Sequence, residues 1–179
     1  DIKNNIYFGH KRLSIVDLSI HGSQPMISAD KNFCIIFNGE IYNHQLIRDE
    51  MELDIKQGFI GNSDTETFIE AFSKWGIEET LNKVNGMFAF ALYDKKNDLL
   101  YLGRDIVGEK PLYYSKIFHN GAHSLVFGSE IKIFKYYPYF KKNINLESVN
   151  YQQLYKYIPS PLTIYENVFK VNPGTYLKF

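Results

Sequence analysis

The densest cluster of chemistry-bearing residues is Asn38-Gly39-Glu40, set directly after the apolar run Phe33-Cys34-Ile35-Ile36-Phe37. A glycine at the end of a buried strand lets backbone approach a ligand closely. An Asn amide beside a Gly N–H supplies two donors of the kind that stabilise an oxyanion in acyl transfer. The same tripeptide also reads as a plain strand-ending turn. Arg12-Leu13-Ser14-Ile15-Val16-Asp17 offers a fixed cation, either forked onto the carboxylate of a small ligand or paired with Asp17. In Ser63-Asp64-Thr65-Glu66, Asp64 either complements the positive end of a following helix or holds a ligand's ammonium group. Gly103-Arg104-Asp105, Gly108 and Lys110-Pro111-Leu112-Tyr113-Tyr114 form a charged turn that tight glycines and an Arg–Asp pair would account for. Cys34 lies within an apolar strand, where a thiol behaves as a small, inert hydrophobe.

These groups need elements to position them. Runs rich in β-branched and aromatic residues predict strands at Ile6 to His10, Phe33 to Phe37, Met87 to Tyr93, Leu99 to Arg104, Leu112 to Ser115 and Ser124 to Gly128. The polar turn between Asp94 and Leu99 predicts an antiparallel hairpin, and Phe118 to His123, with Asn-Gly inside, predicts another. Ser63 with Glu66 is a capping box opening a helix whose stripe is Phe68, Ile69, Phe72 and Trp75, with Gly76 as its end. A second helix is expected from His44 to about Glu52, capped by Asn43, with Leu46, Ile47 and Met51 inward. A third is expected from Leu146 to about Lys156. Tyr157-Ile158-Pro159-Ser160-Pro161 is a stiff connector, Asn172-Pro173-Gly174 a turn, and Thr175 to Phe179 a last strand. Hairpins rather than βαβ units join the strands, which makes the class α+β.

Twenty basic and twenty acidic side chains cancel, leaving no electrostatic footprint for nucleic acid or a membrane surface. The 14 Tyr and 14 Phe supply enough apolar surface for a real core in 179 residues, a length suited to one domain. A single cysteine excludes an internal disulfide, and neither a leader nor a run of about 18 apolar residues is seen, so cytoplasm is the expected compartment.

Taken in order, Gly9-His10-Lys11-Arg12-Leu13-Ser14-Ile15-Val16-Asp17, Gln24-Pro25, Phe37-Asn38-Gly39-Glu40-Ile41-Tyr42-Asn43 and Ser63-Asp64-Thr65-Glu66 resemble the signature series of the amino-terminal glutaminase domain of glutamine-hydrolysing asparagine synthetases. Val84 to Asp94, Gly103-Arg104-Asp105 with Lys110 to Tyr114, and Gly128-Ser129-Glu130 continue the resemblance. Tyr157 to Pro161 with Pro173-Gly174-Thr175-Tyr176-Leu177 is similar to the join leading into the ATP-using domain of that family. The resemblance implies a four-layer sandwich of two antiparallel β-sheets flanked by helices, of the N-terminal-nucleophile hydrolase type. It makes Arg12 the clamp for the α-carboxylate of glutamine, with Ile15 and Val16 lining the pocket through their backbone. Glu40 and Asp64 would hold the α-ammonium group. Asn38 and Gly39 would form the oxyanion hole.

In that family the nucleophile is a cysteine at the start of the mature chain, with its own α-amino group as base. The sequence here starts at Asp1, and the Arg-His-Arg-Gly-Pro-Asp segment expected before Ile6 is not found. The resemblance therefore predicts residues 1–156 to be a partial amidotransferase domain lacking its nucleophile, and 157–179 a connector and strand leading towards a synthetase domain. Glutamine is the expected small-molecule partner, with no nucleic acid and no membrane, and a homodimer of the full-length protein is left open. No metal or cofactor is expected in this chain, ATP and magnesium belonging to the synthetase domain. Two alternatives stay open: a non-catalytic glutamine-binding or interaction module, and an amidotransferase for another acceptor such as a surface-polymer sugar.

Overall fold

In the computed structural model, which describes residues 6–13, 17–52 and 58–179, apolar and polar positions alternate along one long strand. Ile35, Phe37 and Ile41 are buried on one face, while Asn38 between them is exposed on the other. This strand, Phe33–Ile41 (β2), follows the two-residue Met26–Ile27 (β1). Then come His44–Glu52 (α1), Asp64–Lys83 (α2), Gly86–Asp94 (β3), Leu99–Arg104 (β4), Tyr113–His119 (β5), Ala122–Gly128 (β6), Leu146–Tyr155 (α3), Phe169–Lys170 (β7) and Tyr176–Lys178 (β8). One sheet has the order β1-β2-β3-β4-β8 and the other β6-β5-β7. The β1–β2, β2–β3, β5–β6 and β5–β7 pairs are all antiparallel. The α+β class expected from the sequence is the class of this chain. The chain forms two compact units, Asp1–Tyr101 with Lys178–Phe179, and Leu102–Leu177; the predicted join after residue 156 falls inside the second.

In the first unit, β2 and β3 pair without a bulge from Phe33↔Asp94 to Ile41↔Gly86. Asn38-Gly39-Glu40 is thus not a strand-ending turn. It stays paired with Ala89, Phe88 and Met87, because the buried alternation continues to Ile41. Helix α2 opens as predicted, with the Ser63 hydroxyl accepting the Glu66 N–H at 3.1 Å. The reciprocal half of the capping box is absent: the Glu66 carboxylate accepts the Ile60 and Gly61 amides instead. Phe68 sits at the centre of the core, 4.4 Å from the Phe72 ring centroid and 5.5 Å from those of Phe37 and Phe90. Truncating a side chain so enclosed costs about 3–5 kcal/mol. Gly76 interrupts the helix, with φ 76° and ψ −176°, but a second helical stretch resumes to Lys83, past the glycine at which the sequence pattern predicts the end.

Helix α1 buries Ile47 and Met51 as expected, whereas Leu46 is 71% exposed. Arg48, on the other flank of Ile47, is buried and bonded to the residues before α2. Asn43 ties α1 to the α2–β3 connection, its amide donating to the Lys83 carbonyl and accepting the Asn85 N–H. The predicted strand at Ile6 to His10 does not form. At Phe37 the edge of β2 is met by side chains, Gln24 accepting the Phe37 N–H and His10 bonding the Phe37 backbone.

In the second unit the β5–β6 hairpin closes on Asn120-Gly121 alone, both with positive φ, so its strands extend further than the composition suggested. Arg104 and Asp105 each organise backbone. The Asp105 carboxylate accepts the amides of Val107, Gly108, Glu109 and Lys110, and the Arg104 guanidinium donates to the carbonyls of Gly108, Lys110 and Val171. Helix α3 is capped by Asn145. The two-residue strands β1 and β7 carried no periodic signal. No helix among the described residues is long and apolar enough to cross a membrane.

Candidate active site

Backbone direction along β2 determines which groups the site can offer. In an antiparallel ladder, the N–H and C=O of successive residues point alternately to opposite edges. On β2 and its immediate extensions the even positions face β3: the Tyr42 N–H bonds Asn85 and the Asn32 carbonyl accepts Lys95. The odd positions face the other edge. There the Phe33 carbonyl accepts the Ser28 N–H, the Phe37 N–H donates to Gln24 Oε1 at 2.6 Å, and the Ile41 N–H donates to Asp64 Oδ2 at 3.0 Å. The Gly39 N–H is turned to this same edge, midway between the two side-chain acceptors.

Asp64 reaches that edge because it is the first residue of α2, whose start is fixed by the Ser63 cap. Its other carboxylate oxygen accepts the Thr65 N–H at 2.8 Å, and the residue is 6% exposed. Burial raises the Asp64 pKa, the Ile41 and Thr65 amides and the nearby His44 oppose the rise, and the charge of Glu40 adds to it. Glu40 and Asp64 therefore lie within each other's electrostatic field. Glu40 and Asn38, two apart on β2, share the face opposite the Ile35–Phe37–Ile41 side.

Arg12 is held through a chain of contacts that starts in the interior. Arg48 of α1, 5% exposed, donates to the carbonyls of Gly61 (2.6 Å) and Ser63 (3.2 Å) and to Thr67 Oγ1, pairs with Glu66 at 3.4 Å, and lies over the Phe59 ring. This fixes the loop before α2. The Asn62 N–H in that loop donates to Asp17 Oδ2, while Asp17 Oδ1 accepts the Ser19 N–H at 2.7 Å. Hydrogen bonds from Ser19 above all, then Asn62, with a smaller contribution from the Arg12 charge, hold the Asp17 pKa down at about 2. The Arg12 guanidinium in turn donates to the carbonyls of Asp17 and Ser19, so it meets Asp17 at the backbone and not as a carboxylate ion pair. Its charge also reaches His10, whose pKa is lowered by burial and by Arg12 against the raising effect of the Phe37 backbone bond.

Asn38, Gly39 and Glu40 are thus consecutive on β2, and Asp64 bonds the Ile41 N–H of the same strand; Arg12 bonds the Asp17 and Ser19 carbonyls, and its charge is felt at His10. Ile15 and Val16 lie outside the described residues. Cys34 pairs with Tyr93 and Ile27, and burial raises its thiol pKa, so it is not an activated nucleophile. Three residues with evident roles here are missed by the sequence pattern. Arg48 was detectable as a lone cation on the Ile47–Met51 stripe; Gln24 and His10 carried no local signal for side chains that bond a distant strand edge.

A family model described as a glutamine amidotransferase domain matches residues 2–179, and the chain belongs to that family. Among curated relatives, the putative asparagine synthetase [glutamine-hydrolyzing] 2 of Methanocaldococcus jannaschii is 36% identical over 98% of this chain and 35% of its own length. The asparagine synthetases [glutamine-hydrolyzing] 3 and 1 of Bacillus subtilis are 35% and 37% identical, covering 99% and 96% of this chain and 28% and 26% of theirs. The chain spans about a third or less of the length of these relatives. The glutamine phosphoribosylpyrophosphate amidotransferase from B. subtilis superposes with a TM-score of 0.54 at 21% identity over 70% of this chain and 28% of that one. The allosteric regulatory enzyme of purine biosynthesis gives 0.52 at 21% identity over 64% and 25%. Both likenesses show the fold.

Proposed function

We propose that these residues form the glutamine-holding part of a glutaminase centre that supplies ammonia to an ATP-dependent synthetase, with aspartate as the acceptor. The supporting observation is the edge of β2, where the Gly39 N–H lies between two side-chain clamps and beside two mutually sensed carboxylates. In this reading Glu40 and Asp64 take the α-ammonium group of glutamine, and Arg12 takes its α-carboxylate with the N–H groups not donated to Asp17 and Ser19. The backbone of Ile15 and Val16 would line the same pocket. Opposite charges at opposite sides fix the orientation of the amino acid.

The side-chain carboxamide then lies against Asn38 and Gly39. A thiolate attacks its carbon, the oxyanion is met by the Asn38 amide and the Gly39 N–H, and the amide nitrogen leaves as ammonia after protonation. Water cleaves the resulting thioester to glutamate and regenerates the thiol. The nucleophile in this reading is a chain-terminal cysteine supplied outside residues 1–179, since the one cysteine present is half-buried within β2 and its pKa is raised. ATP and magnesium serve acceptor activation in chain beyond these residues and take no part in glutamine hydrolysis.

The test is glutamate release from glutamine by the full-length gene product. Removing one oxyanion donor costs about 10²–10³ in kcat, so Asn38→Ala should lower kcat by about that factor with a smaller change in KM. Absence of glutamate release by the unaltered protein, or an Asn38→Ala variant with unchanged kcat, overturns the reading.

A further inference from the structure

Gln24 belongs to one of the ordered sequence anchors, yet it stands outside the set of residues that would hold glutamine. Its side chain spans the two elements that carry the site. Oε1 accepts the Phe37 N–H of β2 at 2.6 Å, and Nε2 donates to Thr65 Oγ1 of α2 at 3.3 Å. The amide orientation is forced, because a backbone N–H can be met only by the amide oxygen, which turns the NH₂ group to the hydroxyl. Phe37 precedes Asn38 and Thr65 follows Asp64, so one side chain links the backbone next to the oxyanion-type donors with the hydroxyl of the residue next to the carboxylate. Asp64 makes the matching link at the other end, to Ile41. The Gly39 N–H lies between them, and the distance from it to Asp64 is therefore fixed from both sides.

We infer that Gln24 is a positioning residue for the proposed centre, holding the Asn38-Gly39 donors in register with the Asp64 carboxylate at the start of α2; this rests on the glutaminase reading above. Gln24 touches no reacting atom in that reading. Its contribution appears in the geometry of the transition state: with the Phe37 amide released, the segment carrying the Gly39 N–H loses one of its two fixed neighbours. A misplacement of about 1 Å costs on the order of 10²-fold in rate.

The experiment uses the full-length protein and three variants. Gln24→Met keeps the length and loses both bonds; Gln24→Glu keeps an acceptor for the Phe37 N–H and can accept the Thr65 hydroxyl; Thr65→Val removes the far partner alone. Gln24→Met should lower kcat for glutamate release by about 10- to 100-fold, with KM within about 3-fold because Arg12, Glu40 and Asp64 still hold the zwitterion. Gln24→Glu should recover kcat to within about 5-fold of the parent, and Thr65→Val, which leaves the Phe37 bond in place, should lower kcat by less than Gln24→Met does. The inference is overturned if Gln24→Met leaves kcat per folded molecule unchanged, if KM rises by as large a factor as kcat falls, as from general loosening, or if Gln24→Glu fails to recover a folded protein's activity. Should Gln24→Met not fold, the Thr65→Val and Gln24→Glu arms decide on the same criteria. Failure of the unaltered protein to release glutamate removes the underlying reading instead, so the two failures are distinguishable.

Discussion

Replacing Gly39 with alanine tests the geometry of the site edge most directly, because the steric and conformational contributions can be separated. A Cβ at position 39 would overlap the Met87 carbonyl oxygen and stand 2.6 Å from Phe88 Cα and 2.9 Å from Phe88 Cβ. These are atoms of the β3 backbone and its first side-chain carbon, so no flexible side-chain end can move aside, and β2 must shift from β3. Overpacking of this kind costs about 1–3 kcal/mol. The backbone at φ 153° lies where side chains are rarely found, which adds about 1–3 kcal/mol. Gly121 provides a comparison: its φ is 79° and nothing lies within 4 Å of an added Cβ, so Gly121→Ala carries a positive-φ cost without the overlap. Urea unfolding should place Gly39→Ala about 2–6 kcal/mol below the parent and Gly121→Ala about 1–3 kcal/mol below it, with Gly39→Ala the larger loss. Equal losses in the two variants, or a loss under about 1 kcal/mol for Gly39→Ala, would refute the claim that β3 backbone excludes a side chain here.

Other perturbations address the supports of the site and its bystander thiol. Arg48→Met leaves Glu66 buried without its cation and should destabilise by about 3–5 kcal/mol in thermal unfolding, with Glu66→Gln in the same chain recovering part of the loss; a change below about 1 kcal/mol would show the pair to be dispensable. Asp17 has a depressed pKa, so the stability it contributes is present above its ordinary value of 3.8 and is lost as pH falls towards about 2. The difference between the parent and Asp17→Asn should therefore shrink across that interval, and a pH-independent difference would contradict the assignment. Cys34→Ala should leave glutamate release by the full-length protein unchanged, and the thiol should alkylate more slowly at neutral pH than a free cysteine; loss of activity would reassign the nucleophile.

What the sequence could reveal followed the strength of local patterns. Helix α1 and strand β4 have the predicted bounds, since apolar spacing and flanking turn residues coincide there. The continuation of β2 through Asn38-Gly39-Glu40 was hidden because the tripeptide has turn composition, while its pairing is decided by the complementary run Met87–Ala89 across the sheet. Ile6 to His10 has strand composition but takes no strand, and its last residue, His10, bonds the Phe37 backbone through its side chain, a tertiary fact with no local trace. Asp64 fits either of two readings, helix start or ligand anchor, and the geometry meets the first condition while leaving the second available: one oxygen faces Thr65 at the helix start and the other crosses to β2. Arg12 was expected either to clamp a ligand or to pair with the Asp17 carboxylate; it meets Asp17 at the backbone carbonyl, together with that of Ser19, which leaves its other N–H groups for a ligand.

The electrostatics of Asp64 distinguish its two roles. A serine at this position could accept the Ile41 N–H without bringing a charge into a buried place, so strand anchoring alone does not call for a carboxylate. Burial raises the Asp64 pKa and the Glu40 charge raises it further, which means that ionised Asp64 makes the unliganded fold less stable as pH rises through the interval between its unfolded and folded values. An ammonium group entering between the two carboxylates reverses that balance: at about 4 Å and an effective dielectric of about 20 each contact contributes on the order of 4 kcal/mol before desolvation. Ligand binding then favours the ionised form, releases a proton from whatever fraction of Asp64 is neutral, and strengthens as pH rises through the raised pKa. A carboxylate present only to anchor β2 to α2 would give no such coupling, so the sign of the proton change on glutamine binding separates the structural role from the recognition role at this one residue.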